Sequence, residues 1–175
     1  YGKIIVIGVG VIHKQDDEDK LRIKAFASDD ERELLQWFAN ILEDNKSIRR
    51  LCAHNGKEFD FPYLCRRMLV NKVKLPSLLC ISNLKPWEIP HIDTLEMWKF
   101  GDWKNYTSLE TLATIFDIPT SKSDIDGSQV NTYYYIHKAL DKIATYCKND
   151  VLVLVQLYLS LMQLKPIEEK NVTIL

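Results

Sequence analysis

Cysteine is sparse in this 175-residue chain: Cys52, Cys65, Cys80 and Cys147 form no C-x-x-C pair and show no zinc-site spacing with histidine. Metal ribbons and disulfide frameworks are thereby excluded, and reduced, buried thiols are the expectation. Positive charge is not in excess either. Lysine and arginine number 23 against 24 acids, so no global field advertises nucleic acid, and any such role falls to local basic groups and metal ions. Long apolar runs are missing: residues 4–12 and 151–164 are too short or too interrupted by polar residues to span a bilayer, and no charged-then-apolar leader opens the chain. The chain therefore reads as soluble, not secreted and cytoplasmic, with no membrane partner. Glycine is scarce, and Gly8-Val9-Gly10 lacks the third glycine of a dinucleotide-binding turn. A dinucleotide-binding oxidoreductase rests on Gly8-x-Gly10 alone.

What is present suits one globular domain over residues 1–175: 46% of residues are hydrophobic and 27% charged, with no repeat, low-complexity tract or flexible linker. Residues 2–14 (GKIIVIGVGVIHK) read as a strand buried on both faces, residues 15–20 (QDDEDK) as a charged turn, and residues 22–27 (RIKAFA) as the second arm of a hairpin. Ser28-Asp29-Asp30-Glu31 opens a helix carrying Leu34, Leu35, Phe38, Ile41 and Leu42 at helical spacing. Short strands follow at 48–53 and 91–95, with a helix at 61–71 between them and a three-proline connection over 75–90. Trp98, Phe100, Trp103 and Tyr106 crowd together; such spacing reads as core, with base stacking by Trp98 and Trp103 as the alternative. Thr107-Ser108-Leu109-Glu110 opens another helix, residues 121–128 form a polar loop, and the longest helix runs over about 140–164. The order of elements argues for an α/β fold, a mixed sheet flanked by helices.

Two stretches carry possible chemistry. In the last helix, Leu140, Ile143, Cys147, Val151, Leu154, Tyr158 and Leu161 form an apolar stripe, and Asp150 falls within it. A carboxylate there needs a cation, a metal or a set of donors. A structural ion pair and a metal ligand both remain open, with Tyr146 one turn away. In HNGKEFDFPYL (54–64), Asp60 ahead of Phe61-Pro62 suits an N-cap, while Asn55-Gly56 can hold a tight turn. A cap can also be a ligand. Asp93 in HIDT reads either as a strand-terminal turn acid or as a site residue. Lys104, Tyr106 and Ser108 are candidates for phosphate contact. Asp124 and Asp126 lack the other ligands of a calcium loop.

Asn55-x-x-x-Phe59-Asp60 and Tyr146-x-x-x-Asp150 resemble the second and third motifs of the DEDDy 3′-5′ exonucleases. The runs HNGKEFDFPYLCRRM, IPHIDTLEMWKFGDWKNYTSLETLA and DIDGSQV resemble, more narrowly, exonucleases related to the proofreading domain of family B DNA polymerases. The resemblance implies a ribonuclease H-like fold and hydrolysis at the 3′ ends of nucleic acid, single-stranded DNA foremost, with two divalent ions, Mg²⁺ or Mn²⁺. Asp150 would ligate the metal that activates water, Asp60 would help hold the second, and Tyr146 would position the water. Asn55, Phe59, Lys104 and Ser108 would meet the substrate strand, and Asp124 and Asp126 would lie in a loop near the cleft. One departure stands out. The family's first motif, Asp-x-Glu on a buried strand, is not found: Asp16 and Glu18 have the spacing but sit in the polar turn. The chain is thus expected to start at the family's second strand, with upstream sequence left out. A catalytically silent nucleic-acid-binding domain of the same fold is the alternative.

Overall fold

A computed structural model describes residues 2–120 and 127–175. Strand β1 (Val6–Gln15) pairs antiparallel with β2 (Glu18–Ala27) along its whole length, Val6 opposite Ala27 and Gln15 opposite Glu18. The turn between them is Asp16-Asp17 alone, with φ of 52° and 60°. A two-residue turn of this hand follows the twist of the strands, and aspartate tolerates the left-handed region better than most side chains. The charged run expected in the turn is instead mostly strand: the Lys20 ammonium reaches Asn171 at 2.5 Å and Glu18 at 3.3 Å. Nor is β1 buried on both faces, since Val11 and Ile12 are exposed.

Helix α1 (Glu31–Asp44) starts where Asp30 accepts the N–H groups of Arg32 and Glu33 at 3.0 and 3.2 Å. It buries Leu34, Leu35, Phe38, Ala39 and Leu42. Strand β3 (Cys52–Ala53), helix α2 (Asp60–Val70), strand β4 (Ile92–Asp93) and helix α3 (Thr94–Lys99) follow, with β3 parallel to β4. Both strands are shorter than their patterns suggest, because side chains take over the ladder: His91 accepts the Leu51 N–H at 3.2 Å, and the Asp93 carboxylate caps α3. Within the connection, Ser77–Leu79 and Pro86–Glu88 each form one 3₁₀ turn. Glu31 is buried, yet its carboxyl lies below the ordinary range: burial pushes it up, and the guanidinium of Arg67, the Ile4 N–H and Asn71 more than offset that. Removing one member of such a buried pair costs about 3–5 kcal/mol.

Helices α4 (Leu109–Ile115), α5 (Val130–Tyr135) and α6 (Leu140–Leu161) precede β5 (Val172–Ile174), which adds parallel to β2 to give a mixed three-stranded sheet in the order β1-β2-β5. Gly8 and Gly10 let α6 lie close on β1: a Cβ on Gly8 would meet Cys147 Sγ at 2.7 Å, and one on Gly10 would meet Val151 Cγ1 at 2.7 Å. Their lack of side chains thus serves helix packing rather than a cofactor's phosphates. Leu21, Ile23, Leu159 and Ile167 form a core with Val151, Leu152, Val155, Tyr158 and Val172 packed against it. On α6 the buried residues are Ile143, Val153, Leu157 and Leu159, so of the expected stripe only Ile143 is fully buried, its other members are half-buried, and the deepest burial lies off it. The Gln156 amide donates to Ile167 O at 2.8 Å and accepts from Ile167 N at 3.1 Å, turning the chain back toward β5.

The chain forms two compact units. One comprises the segment up to Ile5 with Ser28–Tyr106; the other comprises Val6–Ala27 with Thr107–Leu175. Among the described residues β1 pairs only with β2 and β5 only with β2, while β3 pairs only with β4. No helix among the described residues is long and apolar enough to cross a membrane. None of the four cysteines is in a disulfide, and Cys52 and Cys80 are exposed while Cys65 and Cys147 are half-buried, so the expectation of buried thiols fails.

Candidate functional site

In the first unit, the segment from β3 to α2 is built around a buried carboxylate. Asp93 accepts the N–H groups of Asn55 at 2.9 Å, Lys57 at 3.1 Å and Leu95 at 3.0 Å. It is only 3% exposed, and three N–H donors keep its buried charge supported. Of the two readings of Asp93, the structural one holds: it is an anchor for the loop. Asn55 sits at φ 59°, a left-handed position that asparagine tolerates. Gly56 is needed for close approach, since a Cβ there would lie 2.4 Å from Ala53 Cβ. The Lys57 ammonium is held by Glu96 at 2.7 Å.

Asp60 is the first residue of α2 and not its cap: Phe59 occupies the cap position and no side chain closes that helix end. With Asn55 O and Gly56 O accepting from Phe59 N and Phe61 N at 3.0 and 2.9 Å, backbone bonds make the entry turn. Asp60 as a residue is exposed, but protein packed about its carboxyl raises its pKa. A backbone N–H opposes that rise, the charge of Asp93 adds to it, and His54 opposes it. Solvent access keeps this a matter of direction rather than of large energy. Phe59 is 63% exposed and stacks on Tyr63, ring centroids 5.8 Å apart and nearly parallel at 6°.

In the second unit, Asp150 is half-buried on α6 with its carboxyl pushed up to about 6. Burial is the main cause, the Tyr146 hydroxyl that donates to the carboxylate opposes it, and the charge of Glu110 on α4 reinforces it. Tyr146 and Asp150 are thus brought together, as one helical turn requires. Among the described residues no lysine or arginine forms an ion pair with Asp150. Gly127 lies beside the Tyr146 hydroxyl, 3.7 Å from where a Cβ would stand. Asp124 and Asp126 fall outside the described residues.

The other candidates separate by role. Ser108 caps α4, accepting the Thr111 N–H at 3.1 Å, so its hydroxyl has a structural duty. Lys104 is exposed in the loop after α3. Phe100, Trp103 and Tyr106 are not core: they are 89%, 65% and 65% exposed, while Trp98 is half-buried. Glu110 was not singled out by the sequence. Its place in the first turn of a helix was legible, but its approach to Asp150 depends on how α4 packs on α6.

A family model described as "Predicted 3′-5′ exonuclease related to the exonuclease domain of PolB" matches residues 1–171. The chain belongs to that family. A comparison with curated proteins found no match. Membership in this exonuclease family turns attention to metal binding. The donors it would use here, Asp60 and Asp150, are hard oxygen ligands of the kind Mg²⁺ and Mn²⁺ take. They suit such ions in kind but not in number: among the described residues no group of three or more histidines, cysteines or acids is placed to hold a metal ion.

Proposed function

We propose that this chain is the exonuclease domain of a metal-dependent enzyme that removes nucleotides from the 3′ ends of DNA, single strands in particular, on a ribonuclease H-like fold. The observation that carries the reading is Asp150: a half-buried carboxylate, bonded to Tyr146 and paired with no cation among the described residues, in a chain of the exonuclease family. Keeping an ionised carboxylate there is unfavourable unless something positive joins it. In this reading Asp150 and Asp60 would hold two divalent ions, Mg²⁺ or Mn²⁺, whose chemistry is to stabilise the entering and leaving oxygens at a phosphodiester. Tyr146 holds its hydroxyl proton toward Asp150 and offers its oxygen lone pairs to a water. Asn55 shapes the loop ahead of Asp60, Phe59 offers an exposed ring, and Lys104 a cation for the strand's phosphates.

Two carboxylates are too few for two ions, so the chain alone is expected to bind Mg²⁺ weakly and to digest DNA poorly. Extending it upstream by an apolar strand carrying Asp-x-Glu should give EDTA-sensitive release of nucleotides from 3′-labelled single-stranded DNA. In that protein Asp150→Ala should nearly abolish turnover, while Tyr146→Phe should retain metal binding and lose rate. An Asp150→Ala variant as fast as its parent, or full activity from the unextended chain, rejects the mechanism. A second reading, a catalytically silent nucleic-acid-binding domain, is favoured by the lack, among the described residues, of three acids, histidines or cysteines grouped to hold a metal ion; persistent DNA binding without release from the extended protein would select it.

A further inference from the structure

The loop that follows α3 is unusual on two independent grounds. Phe100 is the C-cap of α3 and takes left-handed backbone angles, φ 43° and ψ 39°, where a bulky side chain is strained and glycine is the ordinary occupant. The same ring is 89% exposed. Neither feature helps the fold: a glycine there would relieve the backbone, and a polar residue would suit the solvent. Trp103 and Tyr106 follow at three-residue intervals, each 65% exposed, so three large aromatic rings project from a short run of chain. Three exposed rings within seven residues offer aromatic faces to a partner.

The charges nearby narrow the partner. The Lys99 ammonium lies 5.2 Å from the centroid of the Trp103 ring, and Lys104 is exposed in the same loop. The one acid between them, Asp102, is engaged by its own loop, accepting from Lys104 N at 3.3 Å and Asn105 Nδ2 at 3.0 Å. Exposed rings beside two ammonium groups, one over the Trp103 ring and one in solvent, suit a partner that is flat, aromatic and anionic. Unpaired nucleotides meet all three conditions, because every base has a face to stack and every link a phosphate. The loop is also continuous with the segment that carries Asp60: the Tyr106 ring meets His54 edge-on, centroids 6.2 Å apart, and His54 directly precedes Asn55.

We infer that Phe100, Trp103 and Tyr106, with Lys99 and Lys104, form a stacking platform for the unpaired bases of a nucleic-acid strand. The inference rests on the exonuclease reading for its direction, and names the part of the substrate, single-stranded and read without sequence preference, that this loop holds.

The test is the binding of fluorescein-labelled oligothymidylate to the full 175-residue chain in EDTA, read by anisotropy and by tryptophan quenching. Trp103→Ala should weaken binding at least about fivefold, while Trp103→Phe should keep the affinity within about twofold and lose part of the quenching. Phe100→Gly should weaken binding by a similar factor while the urea midpoint stays level or rises, which a structural role for the ring does not allow. Lys104→Ala should lower the slope of log affinity against log salt by about 0.7, and Trp103→Ala should leave that slope unchanged. Binding by Phe100→Gly and Trp103→Ala within about twofold of the parent overturns the platform. So does a parent that ignores the oligonucleotide, or one that instead self-associates through these rings in sedimentation. The exonuclease reading fails separately: platform-dependent binding with no release of nucleotides by the strand-extended protein leaves the platform standing and removes the enzyme.

Discussion

Asp150→Asn should make the folded protein more stable at neutral and alkaline pH, although the site loses its charge. The carboxyl ordinarily titrates near 3.8 and in the folded chain is pushed up to about 6, chiefly by burial. Between those values the folded state binds more protons than the unfolded one, so stability falls as pH rises through this window, and above about pH 6 the loss is complete. At 1.36 kcal/mol per pH unit, the rise corresponds to about 3 kcal/mol of destabilisation at pH 8. Asparagine keeps an oxygen to accept from Tyr146 and removes the buried charge. Urea unfolding in EDTA should therefore show the variant gaining up to about 3 kcal/mol at pH 8 and almost nothing near pH 4, with a melting-point gain of about 6–12 °C at the higher pH. Other titrating groups cancel in the comparison of variant with parent. A variant less stable than the parent at pH 8, or a gain independent of pH, refutes burial as the source of the shift and with it the view of Asp150 as a charge kept at the expense of the fold.

Three further outcomes follow from the first unit. Gly56→Ala, which forces a methyl to 2.4 Å from Ala53 Cβ and 3.1 Å from the Phe61 ring, should lower the urea-derived stability by about 1–3 kcal/mol. Asp93→Ala strips the acceptor from three N–H groups and should cost about 3 kcal/mol or more, with hydrogen exchange accelerating at Asn55 and Lys57 rather than across the whole chain. Arg67→Ala leaves the Glu31 carboxylate buried without its guanidinium and should cost about 3–5 kcal/mol near neutral pH. That penalty should shrink in acid as Glu31 takes up a proton, which an acid-to-neutral series of urea midpoints will show.

The hairpin, the helices α1, α2, α4 and α6 and the placement of Tyr146 beside Asp150 were legible because each follows from local periodicity or from one helical turn, whereas the six-residue helices α3 and α5 are too short to show a period. What escaped the sequence depends on partners distant along the chain. Gly8 and Gly10 read as a fragment of a phosphate-binding turn until α6 is seen lying on them. Asp60 has every local sign of a cap, yet the backbone carbonyls of Asn55 and Gly56 take over the turn. Asp93 reads as a strand-end acid, and its strength as an anchor comes from donors 36 to 38 residues away. The aromatic run misleads for a different reason: ring spacing in sequence is the same for a core cluster and for an exposed loop, and only the fold sets Phe100, Trp103 and Tyr106 in solvent.

The β1-β2 hairpin belongs by its contacts to the second unit, while the residues on either side of it belong to the first. The chain passes between units three times, at 5/6, 27/28 and 106/107, and the first two passages are fastened together by the Ser28 N–H on Ile5 O at 3.1 Å. Neither unit is therefore a continuous stretch of gene. A truncation ending after Tyr106 would leave the hairpin without α6, and one starting at Thr107 would leave α6 without the strands that Gly8 and Gly10 open to it. To obtain the second unit alone, the hairpin must be cut out between Ile5 and Ser28 and spliced ahead of Thr107, whereas the first needs only a short bridge from Ile5 to Ser28, whose backbones already touch.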